Sequence, residues 1–153
     1  MPKIDIDRVP VKTGSIYPAP FKAIAEARAR QALGDAGGLT QFGVNLTRLP
    51  PGAATAQRHW HQAEDELVFI VSGELILIEE GGETPLKAGE AAAFKAGDAD
   101  GHHLVNRSAE DAEVLEIGTR APDERGHYPD IDLVYEKRGG EVRFTNRAGE
   151  PYD

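Results

Sequence analysis

The sequence predicts an all-β protein, a barrel or sandwich of short strands, on three observations. Apolar runs of four or five residues recur from Leu39 onward, as in Leu67-Val68-Phe69-Ile70-Val71 and Leu75-Ile76-Leu77-Ile78. Turn residues divide them: Ser72-Gly73 stands between that pair and Glu79-Glu80-Gly81-Gly82 follows it. No helical pattern separates consecutive strands, which disfavours a parallel βαβ architecture and favours an antiparallel one.

Taken in order, residues 1 to 38 read as an N-terminal arm and one short helix packing on the barrel. Pro2, Pro10, Pro18 and Pro20 keep the first twenty residues extended, because proline cannot continue a helix. The run from Phe21 to Leu33 is rich in Ala, Arg, Glu and Gln and is stopped by Gly34, so it predicts the helix. Residues 39 to 145 form the barrel domain. Besides the two runs above, strands are expected at Phe42 to Leu49, Ala91 to Phe94, His102 to Asn106, Val114 to Ile117, Ile131 to Tyr135 and Val142 to Phe144. Residues 146 to 153 are a polar tail.

Composition narrows the chemistry. A chain of 153 residues is the size of one domain. With no cysteine there is no disulfide framework, thiolate metal site or cysteine nucleophile, so any metal must sit on nitrogen and oxygen. A net charge of −9 without a Lys/Arg-rich block repels a phosphate backbone, which argues against a nucleic-acid partner. Charges occupy the start of the chain where a signal peptide needs apolar residues, and no stretch is long and apolar enough to span a bilayer. The expectation is a cytoplasmic protein with no membrane partner.

Four residues combine into a candidate metal centre. His59 and His61 flank Trp60 at the start of a strand, and residues two apart in a strand project from one face, about 7 Å apart along the chain. Glu66 opens the next apolar strand after a gap that can make a turn, so antiparallel pairing brings its carboxylate beside the two imidazoles. His102 begins another strand far downstream. The combination, rather than any one spacing, points to a single ion.

These residues resemble the cupin superfamily. Gly52, His59, His61, Glu66 and Gly73 follow its first motif, with a slightly longer first gap. Gly89, Gly97, His102 and Asn106 follow the outline of its second motif, with Lys95 where the family usually has Pro. Four residues separate Gly97 from His102, more than the family's usual gap, and strict counting would put Asp100 in the ligand position. His102 is preferred because Asn106 stands at the right distance behind it, and His103 then faces the other way. The resemblance implies a double-stranded β-helix, jelly-roll-like, holding one divalent ion (Mn, Fe, Zn, Ni or Co) on His59, His61, Glu66 and His102. Gly101 to Ser108 and Tyr128 to Leu133 resemble the corresponding strings of small bacterial single-domain cupins.

Other residues carry plainer expectations. Thr55 and Gln57 alternate with His59 and can line the cavity. Trp60 points outward as an anchor, Glu64 and Asp65 form a solvated turn, and His127 lies in an exposed loop. Three imidazoles and a carboxylate leave open positions suited to a small-molecule ligand with two oxygens. The resemblance implies a dioxygenase, decarboxylase or isomerase on a small oxygenated metabolite. The other class is a non-catalytic ligand-binding or sensing module, since only a few residues, among them Tyr17, Arg48 and Arg58, stand out as an acid, base or clamp. A Pro-rich arm beside a sheet edge predicts a homodimer.

Overall fold

The computed structural model describes residues 2–153. Thirteen strands and one α-helix follow in the order β1 (Val11–Thr13), β2 (Ala29–Ala32), α1 (Leu33–Ala36), β3 (Phe42–Leu49), β4 (Trp60–His61), β5 (Glu66–Ser72), β6 (Glu74–Glu79), β7 (Gly82–Lys87), β8 (Ala91–Phe94), β9 (His103–Val105), β10 (Ala112–Thr119), β11 (Glu124–His127), β12 (Val134–Arg138) and β13 (Glu141–Thr145). Every strand pairing among the described residues is antiparallel. They make a six-stranded sheet in the order β1-β2-β3-β10-β5-β8, a four-stranded sheet β13-β12-β11-β4 and a three-stranded sheet β7-β6-β9. No helix of the described residues is long and apolar enough to cross a membrane.

The alternation that predicts β5 also orients it. Val68 and Ile70 are fully buried, whereas Leu67, Phe69 and Val71 face outward. Val68 and Ile70 join Leu49, Leu75, Leu77, Leu104 and Val114 in the main core, between the six-stranded and three-stranded sheets. A second cluster lies at the other end, where Tyr17 and Ala25 of the arm pack on Tyr128 and Leu133. Asn106 is wholly buried and ties the turn after β9. Its amide donates to the carbonyls of Leu49 at 2.8 Å and Glu110 at 2.7 Å, and its oxygen accepts from the Ser108 amide at 2.9 Å.

Three elements differ from the sequence expectation. The helix expected over Phe21 to Leu33 is replaced by 3-10 turns at Ala19–Phe21 and Ala23–Ala25 and by β2, and the short helix lies just after, at Leu33–Ala36. Helix propensity is a weak local preference, and here eight strand residues of β3 offer β2 a hydrogen-bonded partner, with Arg30 opposite Thr47 and Gln31 opposite Leu46. The arm is likewise structured. Its β1 pairs with β2 within the same chain, and the Gln31 side-chain amide donates to the carbonyls of Ile6 at 2.8 Å and Val9 at 3.0 Å. Residues 146 to 153 turn back on β13, where the Tyr152 amide donates to the Phe144 carbonyl at 3.0 Å and its ring meets Phe21 edge to face.

Two motif glycines give a test of this packing. Gly73 has φ +77° and a Cβ there would stand 2.9 Å from Ala112, whereas Gly89 has φ +89° with open space around it. Gly73→Ala should therefore cost about 3 kcal/mol, combining backbone strain of about 1–2 kcal/mol with a steric clash. Gly89→Ala should cost only the backbone part, about 1–2 kcal/mol. Urea unfolding of the two variants measures the difference, and equal losses would contradict the close approach of β10 to the β5–β6 turn.

Candidate metal centre and cavity

His59 and His102 are locked together by the backbone. The His59 amide donates to the His102 carbonyl at 3.1 Å and the His102 amide returns the bond at 2.8 Å. The paired residues project their rings to one side, with centroids 4.8 Å apart. His61 lies two residues along, held in β4 by pairing with Gly126 of β11, and Glu66 enters from the first residue of β5. The structure thus brings together all four residues singled out in the sequence.

Their donor atoms converge. His59 Nε2 and His61 Nε2 are 3.1 Å apart, Glu66 Oε2 is 3.1 Å from His61 Nε2 and 3.2 Å from His102 Nε2, and 3.8 Å separates it from His59 Nε2. With metal–ligand bonds of about 2.1 Å, neighbouring donors stand about 3.0 Å apart around an octahedral ion and about 3.4 Å around a tetrahedral one. Three of the four separations match the octahedral edge. One tautomer is fixed: His59 Nδ1 is 2.7 Å from the Gln57 carbonyl, so Nδ1–H donates there and leaves the Nε2 lone pair facing the centre, whereas Nδ1 of His61 and of His102 is buried without a partner. His102 is sandwiched flat against Phe94, with ring centroids 3.5 Å apart and planes 1° from parallel.

Electrostatics follow from burial and mutual contact. Burial alone would raise the Glu66 pKa, but hydrogen bonding to the His102 and His61 rings holds it well below the usual carboxylate range. Burial lowers His102, keeping its imidazole neutral, whereas at His61 the Glu66 carboxylate outweighs burial and raises the value. A second acidic group, Glu64 and Glu124 beside His61, is already satisfied. Glu124 accepts from the amides of Gln62 and Arg125 at 2.8 Å, and Glu64 pairs with Lys137 at 3.0 Å.

Neighbours that alternate with the ligand-type residues point away. Asp100 accepts from the Glu80 amide at 2.9 Å, whereas His102 Nε2 stands 3.2 Å from Glu66 Oε2, so it is His102 that joins the other donors. His103 faces the opposite side and contacts the Ala56 carbonyl at 2.7 Å. Arg58 lies outside, donating to Asp130 at 2.8 and 2.9 Å, to Glu80 at 2.8 Å and to the Gly101 carbonyl at 3.1 Å. Trp60 stacks on His127, with centroids 4.1 Å apart, and His127 belongs to β11 rather than to a loop.

The sequence profile of the Cupin domain family matches residues 45–118. A protein of Silicibacter pomeroyi DSS-3, described as a sugar phosphate isomerase from a cupin superfamily, is 43% identical over 99% of this chain and 97% of its own, with a TM-score of 0.95. The chain belongs to the cupin superfamily. A protein from Acidithiobacillus ferrooxidans is more distant, at 30% identity, a TM-score of 0.74, and coverage of 80% of this chain and 78% of its own. An oxalate-binding protein of Thermotoga maritima is 31% identical over 70 residues, covering 46% of this chain and 55% of that protein.

In this cupin the four donors open onto a cavity of about 300 Å³. Its walls hold residues that sequence reasoning did not select: Arg28, Arg30, Glu116 and Tyr128 join Tyr17 and Thr55. Gln57 is not among them, since its amide is used by the Phe21 carbonyl at 2.8 Å. Arg30 reaches Glu116 at 3.1 Å and Thr47 at 3.3 Å, and Thr47 also bonds Glu116. Tyr128 lies 5.8 Å from both the His59 and Tyr17 rings. The signal that could have found Arg28 and Arg30 is their spacing of two, which shares one face only if the segment is a strand.

Burial, followed by proximity to Tyr17, raises the Tyr128 pKa well above the ordinary tyrosine value, and burial raises Tyr17 too. The unfolded phenol ionises at about pH 10, so the unfolded chain releases its proton first as pH rises. The stability that the neutral phenol contributes is present below about pH 10 and is lost above it. Tyr128→Phe should flatten the fall in unfolding free energy between about pH 9.5 and 11. An unchanged slope in denaturant titrations would show that Tyr128 ionises freely in the folded protein.

Proposed function

We propose that His59, His61, Glu66 and His102 hold one divalent ion and that the cavity is the active site of a metal-dependent enzyme acting on a small oxygenated molecule. The observation that carries this reading is the convergence of three Nε2 atoms and Glu66 Oε2 on one point, in a cavity whose walls are polar rather than purely apolar. A divalent ion bound there supplies Lewis acidity toward a carbonyl or hydroxyl oxygen.

The chain's own residues do the rest. Tyr17 and Tyr128, kept protonated by burial, can donate hydrogen bonds to substrate oxygens. The Glu116 carboxylate, oriented by Arg30 and Thr47, is a proton acceptor on the same wall. The likeness to a sugar phosphate isomerase at 43% identity favours interconversion of a hydroxy-aldehyde and a hydroxy-ketone as the reaction to test first. In such a reaction a proton leaves the carbon beside the carbonyl, passes to a base, and returns to the neighbouring carbon.

Protein purified without added metal should contain about one equivalent of a divalent ion. His61→Ala and His102→Ala should each weaken its retention more than about 100-fold, because even partners outside the ligand set are worth about 10–100-fold. Occupancy should fall as pH drops below about 6.5, where protons compete for three imidazoles. The reaction is read by NMR in D2O, as isomer formation and carbon-bound deuterium on a panel of small sugar phosphates, beside dioxygen uptake and decarboxylation on small acids. A full equivalent of metal retained by the His59→Ala/His61→Ala double variant would overturn the ligand assignment. Metal held without turnover on any panel would leave the ligand-binding module.

A further inference from the structure

Of the three arginines that line the cavity, two are neutralised. Arg30 pairs with Glu116 at 3.1 Å and Arg120 with Asp35. Arg28 has no carboxylate partner among the described residues, and the one hydrogen bond of its side chain is to the Thr55 carbonyl. It is half-buried on the cavity wall that also carries Tyr17 and Thr55, and burial works against its charge. A guanidinium with spare N–H donors, withdrawn from water and left without an anion, is disfavoured unless a ligand supplies the missing charge.

We propose that Arg28 is the anion subsite of this cavity, receiving the phosphate or carboxylate of a substrate whose other oxygens face the His59–His61–Glu66–His102 centre. This deepens the proposed function by assigning the charged end of the substrate, and it predicts that neutral sugars of the same size are poor ligands. Arg28 is a binding residue for the substrate's remote group. Its loss removes contacts made equally in the ground and transition states, so KM should rise with little change in kcat.

Isothermal titration with inorganic phosphate, and separately with acetate, tests the subsite on the protein as purified and after chelation. Phosphate should bind both forms, and Arg28→Gln should weaken it roughly tenfold or more in both, because a charge-assisted pair is lost. Arg28→Lys should recover part of the affinity, since it keeps the charge without the planar fork. Metal content should stay at the wild-type value in each variant, which separates failure of this subsite from failure of the metal assignment. Tighter binding of acetate than phosphate would assign the subsite to carboxylates. Equal phosphate affinity in wild type and Arg28→Gln, in the chelated form, would overturn it.

Discussion

A carboxylate enclosed by three imidazoles is the constraint around which the barrel mouth is built. Glu66 Oε2 lies 3.1 Å from His61 Nε2 and 3.2 Å from His102 Nε2, and burial opposes its charge. Such a group is tolerated only where its partners are held in place. The holding is done by main chain. His59 and His102 exchange both amide hydrogen bonds, β4 pairs with β11, and the Gly97 amide donates to the His61 carbonyl at 2.8 Å. Strand alternation then assigns each neighbour a task on the other side: Arg58 ties Asp130 and Glu80, and Trp60 stacks on His127.

The four donor residues were legible because a period of two is short-range information. His59 and His61 must share a face in any strand, and Glu66 opens an apolar run whose direction is set by Ser72-Gly73. The choice between Asp100 and His102 was less local. Counting from Gly97 favours Asp100, but the extra residues form a turn that sends Asp100 to the Glu80 amide, and His102 pairs with His59. Arg28 and Arg30 were illegible for a different reason. Ala27-Arg28-Ala29-Arg30-Gln31 has the composition of a helix, and its strand state comes from pairing with β3, a partner distant in sequence. The same pairing gives the chain its cavity wall.

The six-stranded sheet reverses the usual arrangement of a half-buried sheet. Toward the mouth, its inner face carries Arg30, Thr47 and Glu116, an ion pair and hydroxyl that need one another because each is withdrawn from water. Deeper in, Leu49, Val68, Ile70 and Val114 restore an apolar core. The outer face of those same strands is apolar throughout its centre. An antiparallel sheet that met only water on that side would carry polar residues at positions such as Leu67, Phe69 and Leu115.

These two faces are joined residue by residue along β10. Glu116 lines the cavity, and its immediate neighbours Leu115 and Ile117 stand in register with the outward-facing Phe69 and Leu67. A strand cannot shift one of these without the other, because a slip of one residue exchanges its faces. A slip along β10 would therefore also move Glu116 away from Arg30. Arg30 is already spoken for by Glu116, which leaves Arg28, two residues earlier on the same wall, as the free positive charge. The polarity of the cavity thus depends on the register of β2, β3 and β10, while the donor cluster depends on β4, β5 and the His59–His102 bridge. The two sets meet where Glu66 of β5 stands opposite Gly118 of β10, two residues beyond Glu116, so a change of register in the cavity wall would also displace the donor cluster.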